Sequence, residues 1–315
     1  MKGRIVALAA AALLLASPAA AAETIKIVVT FAAGGPADML ARLVAQDLQQ
    51  RLGSTVVVEN RGGAGGALAN EAVARSVPDG RTLLLGSMGS QVISPVLRPP
   101  SSYDPAKAFE PLVLIGSVPA LLVIRPQLPA NTLLELVAWA KQGNALSYAS
   151  AGPGTTMNIA GEMLNAAAAI KATHVPYRGA GPAINDLIGG HVDFLIADLP
   201  VLLPQVSNNA VRPLALFASE RSAFLPSVPT AKELGFPDLL MENWYGLFAP
   251  AGVPSDVQVM LERAVLDVLS SPAVKERLAA GGMFGTQGRA GFRTRLERDF
   301  ASWAPQIRKL GIVGE

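Results

Sequence analysis

Apolar positions along this chain switch between a strand-like and a helix-like period, and the switches fall at glycine and proline. Ile25 to Thr30 is a β-branched run that predicts a buried strand. Phe31-Ala32-Ala33-Gly34-Gly35 breaks it, and Pro36 takes the first helical position, where a proline is tolerated. Leu40, Leu43, Val44 and Leu48 then recur at helical spacing, which predicts a helix from Pro36 to about Leu52. A strand feeding a glycine pair and then a helix start leaves several N–H groups without partners. Those donors and the helix dipole form an anion site that needs no cationic side chain. A plain tight turn at Gly34-Gly35 is the competing reading.

The pattern continues with a strand at Thr55–Glu59, a glycine cluster at residues 60–66, a helix from Ala67 to about Ser76, and a strand at Thr82–Gly86 ending in Gly86-Ser87-Met88-Gly89-Ser90. The order β-α-β-α-β implies a parallel sheet with ligand loops at the carboxyl ends of its strands. The glycine cluster is not a dinucleotide fingerprint, because the third position counted from Gly63 is Leu68, and a mobile rim loop is expected there. Leu112 to Ile124 is long enough to cross from one lobe to another, and Asn131 is placed to cap a helix carrying Leu133, Leu134, Val137 and Trp139.

A second α/β series repeats the opening unit: a strand at Leu146–Ser150, a turn through Gly152-Pro153-Gly154-Thr155-Thr156, and a helix to about Ala168. Strands are expected at Ala172–Pro176, Gly190–Ala197 and Val211–Phe217, with a helix opening after Tyr177-Arg178-Gly179. Residues 243–252 make the second crossing, and the remainder reads as helical, with Pro305 expected to kink the last helix and Arg293, Arg295 and Arg298 on its solvated face. Two crossings make residues 121–242 a lobe inserted into one built from 23–120 and 243–315. The fold class is therefore α/β, two lobes of mainly parallel sheet flanked by helices, with the crossings as a hinge.

Met1-Lys2-Gly3-Arg4, an apolar run to Leu15 and small residues to Ala22 have the order of a secretory signal peptide, with cleavage expected after Ala22 and an exported, soluble mature chain unless the segment is retained as an anchor. Removing that segment takes away Lys2 and Arg4 and lowers the formal charge from +2 to 0, which gives no reason to expect nucleic acid or an anionic membrane as partner. There is no cysteine and there are two histidines, so thiol chemistry is excluded and neither a metal site nor a cofactor is expected. An enzyme on the same scaffold is disfavoured: residues 86–90 lack the G-x-S-x-G elbow, and neither His174 nor His191 has a partner motif, so both read as structural.

Several segments together resemble a known family: Thr30 to Asp38, Val57-Val58-Glu59-Asn60-Arg61, Gly63-Ala64-Gly65-Gly66, Pro78-Asp79-Gly80, Tyr103-Asp104-Pro105, Tyr148-Ala149-Ser150, His174-Val175-Pro176-Tyr177 and residues 247–252. In that order they look like the Bug-type periplasmic substrate-binding proteins of tripartite tricarboxylate transporters. The resemblance implies a monomeric two-lobed (type II) binding protein that closes on a small carboxylate and delivers it to membrane permease subunits; a sensing subunit with a signalling partner is the alternative. It places one jaw at Phe31, Ala33, Gly34 and Asp38, with Ser87 nearby, and the other at Ser150, Gly152, Gly154, Thr155 and Asp198. Asn158 stands where the family often has histidine, and Arg81 where an aromatic is common.

Each position also has a plainer role. Asp38 can complement the helix end, Asp198 can cap a helix starting near Leu199, and Thr155 or Thr156 can cap their own helix whether or not they touch a ligand. Asn158 reads either as a second contact to the ligand or as a surface amide. Phe31 is a packing residue or a cover for a carbon chain. Arg178 is the nearest ionic candidate, against a solvated rim position.

Overall fold

A computed structural model describes residues 24–97, 103–104 and 107–310; the expected signal peptide lies outside them. β1 (Thr24–Val29), α1 (Pro36–Leu52), β2 (Thr55–Asn60), α2 (Ala67–Ala74), β3 (Thr82–Ser87) and α3 (Ser94–Leu97) lead into the 16-residue β4 (Phe109–Ile124). Next come α4 (Leu133–Lys141), β5 (Leu146–Ser150), α5 (Thr156–Ala168), β6 (Ala172–Pro176), α6 (Ala180–Ile188), β7 (Phe194–Asp198), α7 (Leu199–Ser207) and β8 (Arg212–Phe217). β9 (Glu242–Pro250), α8 (Ser255–Ser270), α9 (Pro272–Ala280), β10 (Gln287–Gly288) and α10 (Arg289–Lys309) complete the chain.

The strands follow the order β2-β1-β3-β9-β4-β7-β5-β6. β2, β1 and β3 run parallel, as do β7, β5 and β6, whereas β9 and β4 lie antiparallel to their neighbours. β4 joins the two parallel sets: residues from Phe109 to Pro119 pair with β9, and Ala120–Ile124 pair with β7 and β8. Strand alternation explains the layers. Ile25, Ile27 and Val29 face α1 and α8 together with Leu83 and Leu85, while Val28 and Leu84 face α2. In the second set Leu195 and Ala197 face α6 and α7, and Phe194 and Ile196 face the α4–α5 side.

Several local expectations change. α4 is capped by Thr132, not Asn131: Thr132 Oγ1 accepts from the Glu135 amide at 3.1 Å and Glu135 returns to the Asn131 amide, a capping box. β7 starts at Phe194, because Asp193 turns its carboxylate onto Arg125 and the Ser147 amide. Arg295 leaves the solvated face: it is held by Asp299, Glu242 and Ser117, while Arg293 and Arg298 stay exposed. The remainder is not all helical, since β10 pairs antiparallel with β4. α10 continues through Pro305. The glycine cluster is a packed junction, not a rim loop. A Cβ on Gly66 would lie 2.6 Å from Ser90 Cβ, and one on Gly65 would lie 2.8 Å from the Pro153 carbonyl.

Candidate ligand-binding cleft

The carboxyl ends of β1 and β3 from one parallel set and of β5 and β7 from the other meet at one cavity. Its walls are Phe31, Gly35–Ala37, Ser87, Ala151, Thr155–Met157, Ala180, Ala197, Asp198, Asn243 and Tyr245. The volume is about 30 Å³, room for about two water-sized groups. Among the described residues, no lysine, arginine or histidine lines it.

Two helix entrances built on the same plan face this cavity. Before α1, Gly34 has φ of 84° and donates its N–H to Asp38 Oδ2 at 3.1 Å; before α5, Gly154 has φ of 76° and donates to Asn158 Oδ1 at 3.1 Å. In both cases a left-handed glycine turns the chain, and the polar side chain four residues on fastens it. The first amides to find helical acceptors are Met39, to Gly35, and Ile159, to Thr155. The amide of Ala37 on one wall, and those of Thr156 and Met157 on the other, therefore have no acceptor among the described residues and sit at positive helix ends.

Asp38 and Asn158 are accordingly builders of the loops. Asp38 is buried and also takes Arg42; burial pushes its carboxyl up, but the bonds from Arg42, the Gly34 amide and Asn60 bring it net below its ordinary value. Asn158 is buried as well, not a surface amide, and donates to the Tyr148 hydroxyl at 2.9 Å. Ser150 bonds the Gly152 amide and His174 Nε2 at 2.6 Å, and that histidine stacks on Tyr148. Thr155 caps α5, accepting from the Asn158 amide and donating to the Gly152 carbonyl at 2.7 Å, and it also reaches the cavity. Of the residues named from the sequence, Phe31, Ser87, Thr155 and Asp198 line the cavity; Ala33, Gly34, Asp38, Ser150, Gly152, Gly154 and Asn158 do not. Arg178 is exposed, and its carbonyl accepts from the Ala32 amide at 3.4 Å, a bond between the two halves.

Asp198 occupies the N-cap position of α7 without capping it. Its Oδ2 takes the Asn243 amide at 2.9 Å and the Tyr245 hydroxyl, both from β9. Burial raises the Asp198 carboxyl to about 6, against the lowering effect of those two bonds. Sequence reasoning missed Thr156's amide, Asn243 and Tyr245. The signal for the pair was available: Asn243 and Tyr245 are two apart in a strand and share a face, whereas Trp244 between them points into the core.

A mixed sheet with helices on its faces and an anion-suited cavity between two parallel sets defines a periplasmic-binding-protein fold. Residues 40–312 match the Tripartite tricarboxylate transporter family receptor, and the chain belongs to that family. Protein BugT of Bordetella pertussis is 33% identical over 314 residues, covering 98% of this chain and 96% of its own. The periplasmic binding protein BugD superposes with a TM-score of 0.88 at 32% identity, over 93% of this chain and 99% of that one. MatC of Rhodopseudomonas palustris, solved with bound malate, superposes with a TM-score of 0.85 at 33% identity, over 90% and 98%. These relatives are solute-binding proteins.

Proposed function

We propose that this chain captures a small carboxylate in the periplasm by closing two lobes on it and delivers it to the permease subunits of a tripartite tricarboxylate transporter. One lobe comprises residues 23–120 and 243–315, the other 121–242; β4 and β9 are the hinge, and the mature chain starts after Ala22 and acts as a monomer without catalytic chemistry. The observation that carries this reading is a pair of helix entrances whose residues line one cavity and whose first amides have no acceptor among the described residues, with no cationic side chain among the described residues of the wall. Ala37, Thr156, Met157 and Ser87 hold the carboxylate, Phe31 covers its carbon chain, and Asp38, Thr155 and Asn158 keep the donors in place. The malate bound in MatC supports the ligand class.

A thermal-shift and calorimetric panel of mono-, di- and tricarboxylates on residues 23–315 tests it, since a bound acid raises the melting temperature by mass action. The informative variant is Thr156→Pro. Position Thr156 is the first of its helix, the place Pro36 already holds in α1, and Thr155 before it is extended at φ −87°, ψ 158°. The exchange removes one amide and keeps the helix. Losing a hydrogen bond to a charge costs about 1.5–3 kcal/mol, so Kd rises about 10- to 150-fold relative to Thr156→Ala. An unaltered Kd in Thr156→Pro, or a panel in which no acid binds, refutes the reading.

A further inference from the structure

The cavity that lacks a cation contains an acid. Asp198 is 4% exposed, and its Oδ2 accepts from Asn243 and Tyr245, whereas Oδ1 has no hydrogen-bond partner among the described residues. Asp198 lines this cavity of about 30 Å³, so a carboxylate held there lies beside it. Among the described residues, Tyr245 is the other titratable group on the wall.

Charges on the surrounding elements are engaged elsewhere. On α1, Asp38 pairs with Arg42, and Asp47 and Arg51 lie further along the helix. Glu242 of β9 pairs with Arg295, Glu162 of α5 takes the Tyr148 hydroxyl, Asp186 of α6 takes that of Tyr177, and Glu110 of β4 pairs with Arg293. His174 of β6 is held by Ser150, and Arg178 before α6 is exposed. β3, β5 and α7 carry no charged residue. Two ionised carboxylates in contact, with helix-end amides as the only positive field, repel strongly, and a shared proton removes the repulsion. The acid–carboxylate bond so formed is among the shortest and strongest hydrogen bonds.

Resting on the carboxylate reading, we propose that Asp198 recognises the ligand as a carboxylic acid, donating through Oδ1, so that one proton is taken from solvent with each anion captured. The complex then carries one negative charge fewer than its separated parts. The raised Asp198 carboxyl, at about 6, makes the cost of that protonation small near neutral pH.

The test is calorimetry of residues 23–315 with succinate, malate and adipate at several pH values, each in phosphate and in Tris, whose ionisation enthalpies differ. At pH 7.5 these acids are ionised, so any proton consumed reports on the protein. Uptake approaching one proton is expected at pH 7.5 and less at pH 5.5, with Kd rising toward tenfold per pH unit above about pH 6. Asp198→Asn, which keeps an acceptor for Asn243 and Tyr245 and presents an N–H to the cavity, loses the uptake and the pH dependence. Binding by the wild type without uptake, or uptake retained in Asp198→Asn, overturns the proposal and leaves the carboxylate reading standing. If none of a full acid panel binds the wild type, the carboxylate reading itself fails and this one with it. Should the variant not fold, the wild-type two-buffer measurement decides alone.

Discussion

A wedge at Gly179 separates closure from folding. Gly179 is the N-cap of α6 at φ 164° and ψ 170°, extended backbone that any residue adopts. A Cβ placed there would meet Ala32 Cβ at 3.1 Å and the Ala32 amide nitrogen at 3.4 Å, and its three nearest neighbours all belong to Ala32 in the other proposed lobe. Apolar carbons sit best at about 3.5–4.0 Å, so the two surfaces must part by about half an ångström. While the lobes stay shut, that strain is an overpacking cost of about 1–3 kcal/mol. Opening the hinge relieves it, so the unliganded protein keeps its melting temperature and each lobe its fold. Ligand binding must restore the closed contact, and Gly179→Ala therefore weakens Kd about 5- to 150-fold. Gly179→Leu, with a larger wedge against the same atoms, abolishes binding. Calorimetry with whichever acid binds the wild type measures the first, and circular dichroism melting the second. Wild-type Kd in Gly179→Leu refutes the closure mechanism, and a large loss of unliganded stability refutes the placement of Gly179 at a separable contact.

Three further outcomes concern stability. Asp198, raised from 3.8 to about 6, stabilises the fold fully below pH 3.8 and loses about 3 kcal/mol as pH rises through 6. Asp198→Asn is thus expected to melt higher than wild type at pH 7.5 in the absence of ligand, with the difference shrinking toward pH 4.5; the same melting point at pH 7.5 contradicts this. Asp38 has the opposite sign: its lowered carboxyl contributes stability above the unfolded value that is lost as pH falls below about 4. Asp38→Asn should flatten the acid limb of a urea-stability profile, and an unchanged limb would show that the Gly34 and Arg42 bonds contribute nothing. In β9, a Cβ on Gly246 would lie 2.2 Å from Phe292 Cζ in a fully buried aromatic cluster with Trp244 and Phe248. Gly246→Ala is expected to destabilise by about 1–3 kcal/mol in urea titrations, with Phe292→Leu in the same chain recovering part of it.

What the sequence made legible, and what it hid, follows from the range of the interactions. α1 and α5 could be read to within a residue because proline or threonine at the entrance and apolar spacing of three and four act within one turn. The long strands β4 and β9 were legible as well, since a strand buried on both faces reads as one apolar run. Arg295 was misplaced because its partners, Glu242 and Ser117, lie 53 and 178 residues away, and no local pattern carries that information. The glycine cluster was taken for a mobile loop because glycine serves flexibility and close approach equally; Ser90 and Pro153, which press on it, come from elsewhere in the chain. The site shows the same division. The paired entrances were visible as a repeated strand, glycine turn and helix start, and Asp38 reaching back to its helix end was one of its two readings, but the sequence could not say that Asn158 does the same at Gly154 while Asp198, alone among the described residues, presents a carboxyl to the cavity. That difference sets the chemistry. Two of the three polar side chains are consumed in orienting backbone amides, which leaves an anion site whose selectivity rests on main-chain donors and a single acid. Swapping Asp38 for asparagine, the residue α5 already uses at the matching position, should therefore change stability far more than it changes which acid binds.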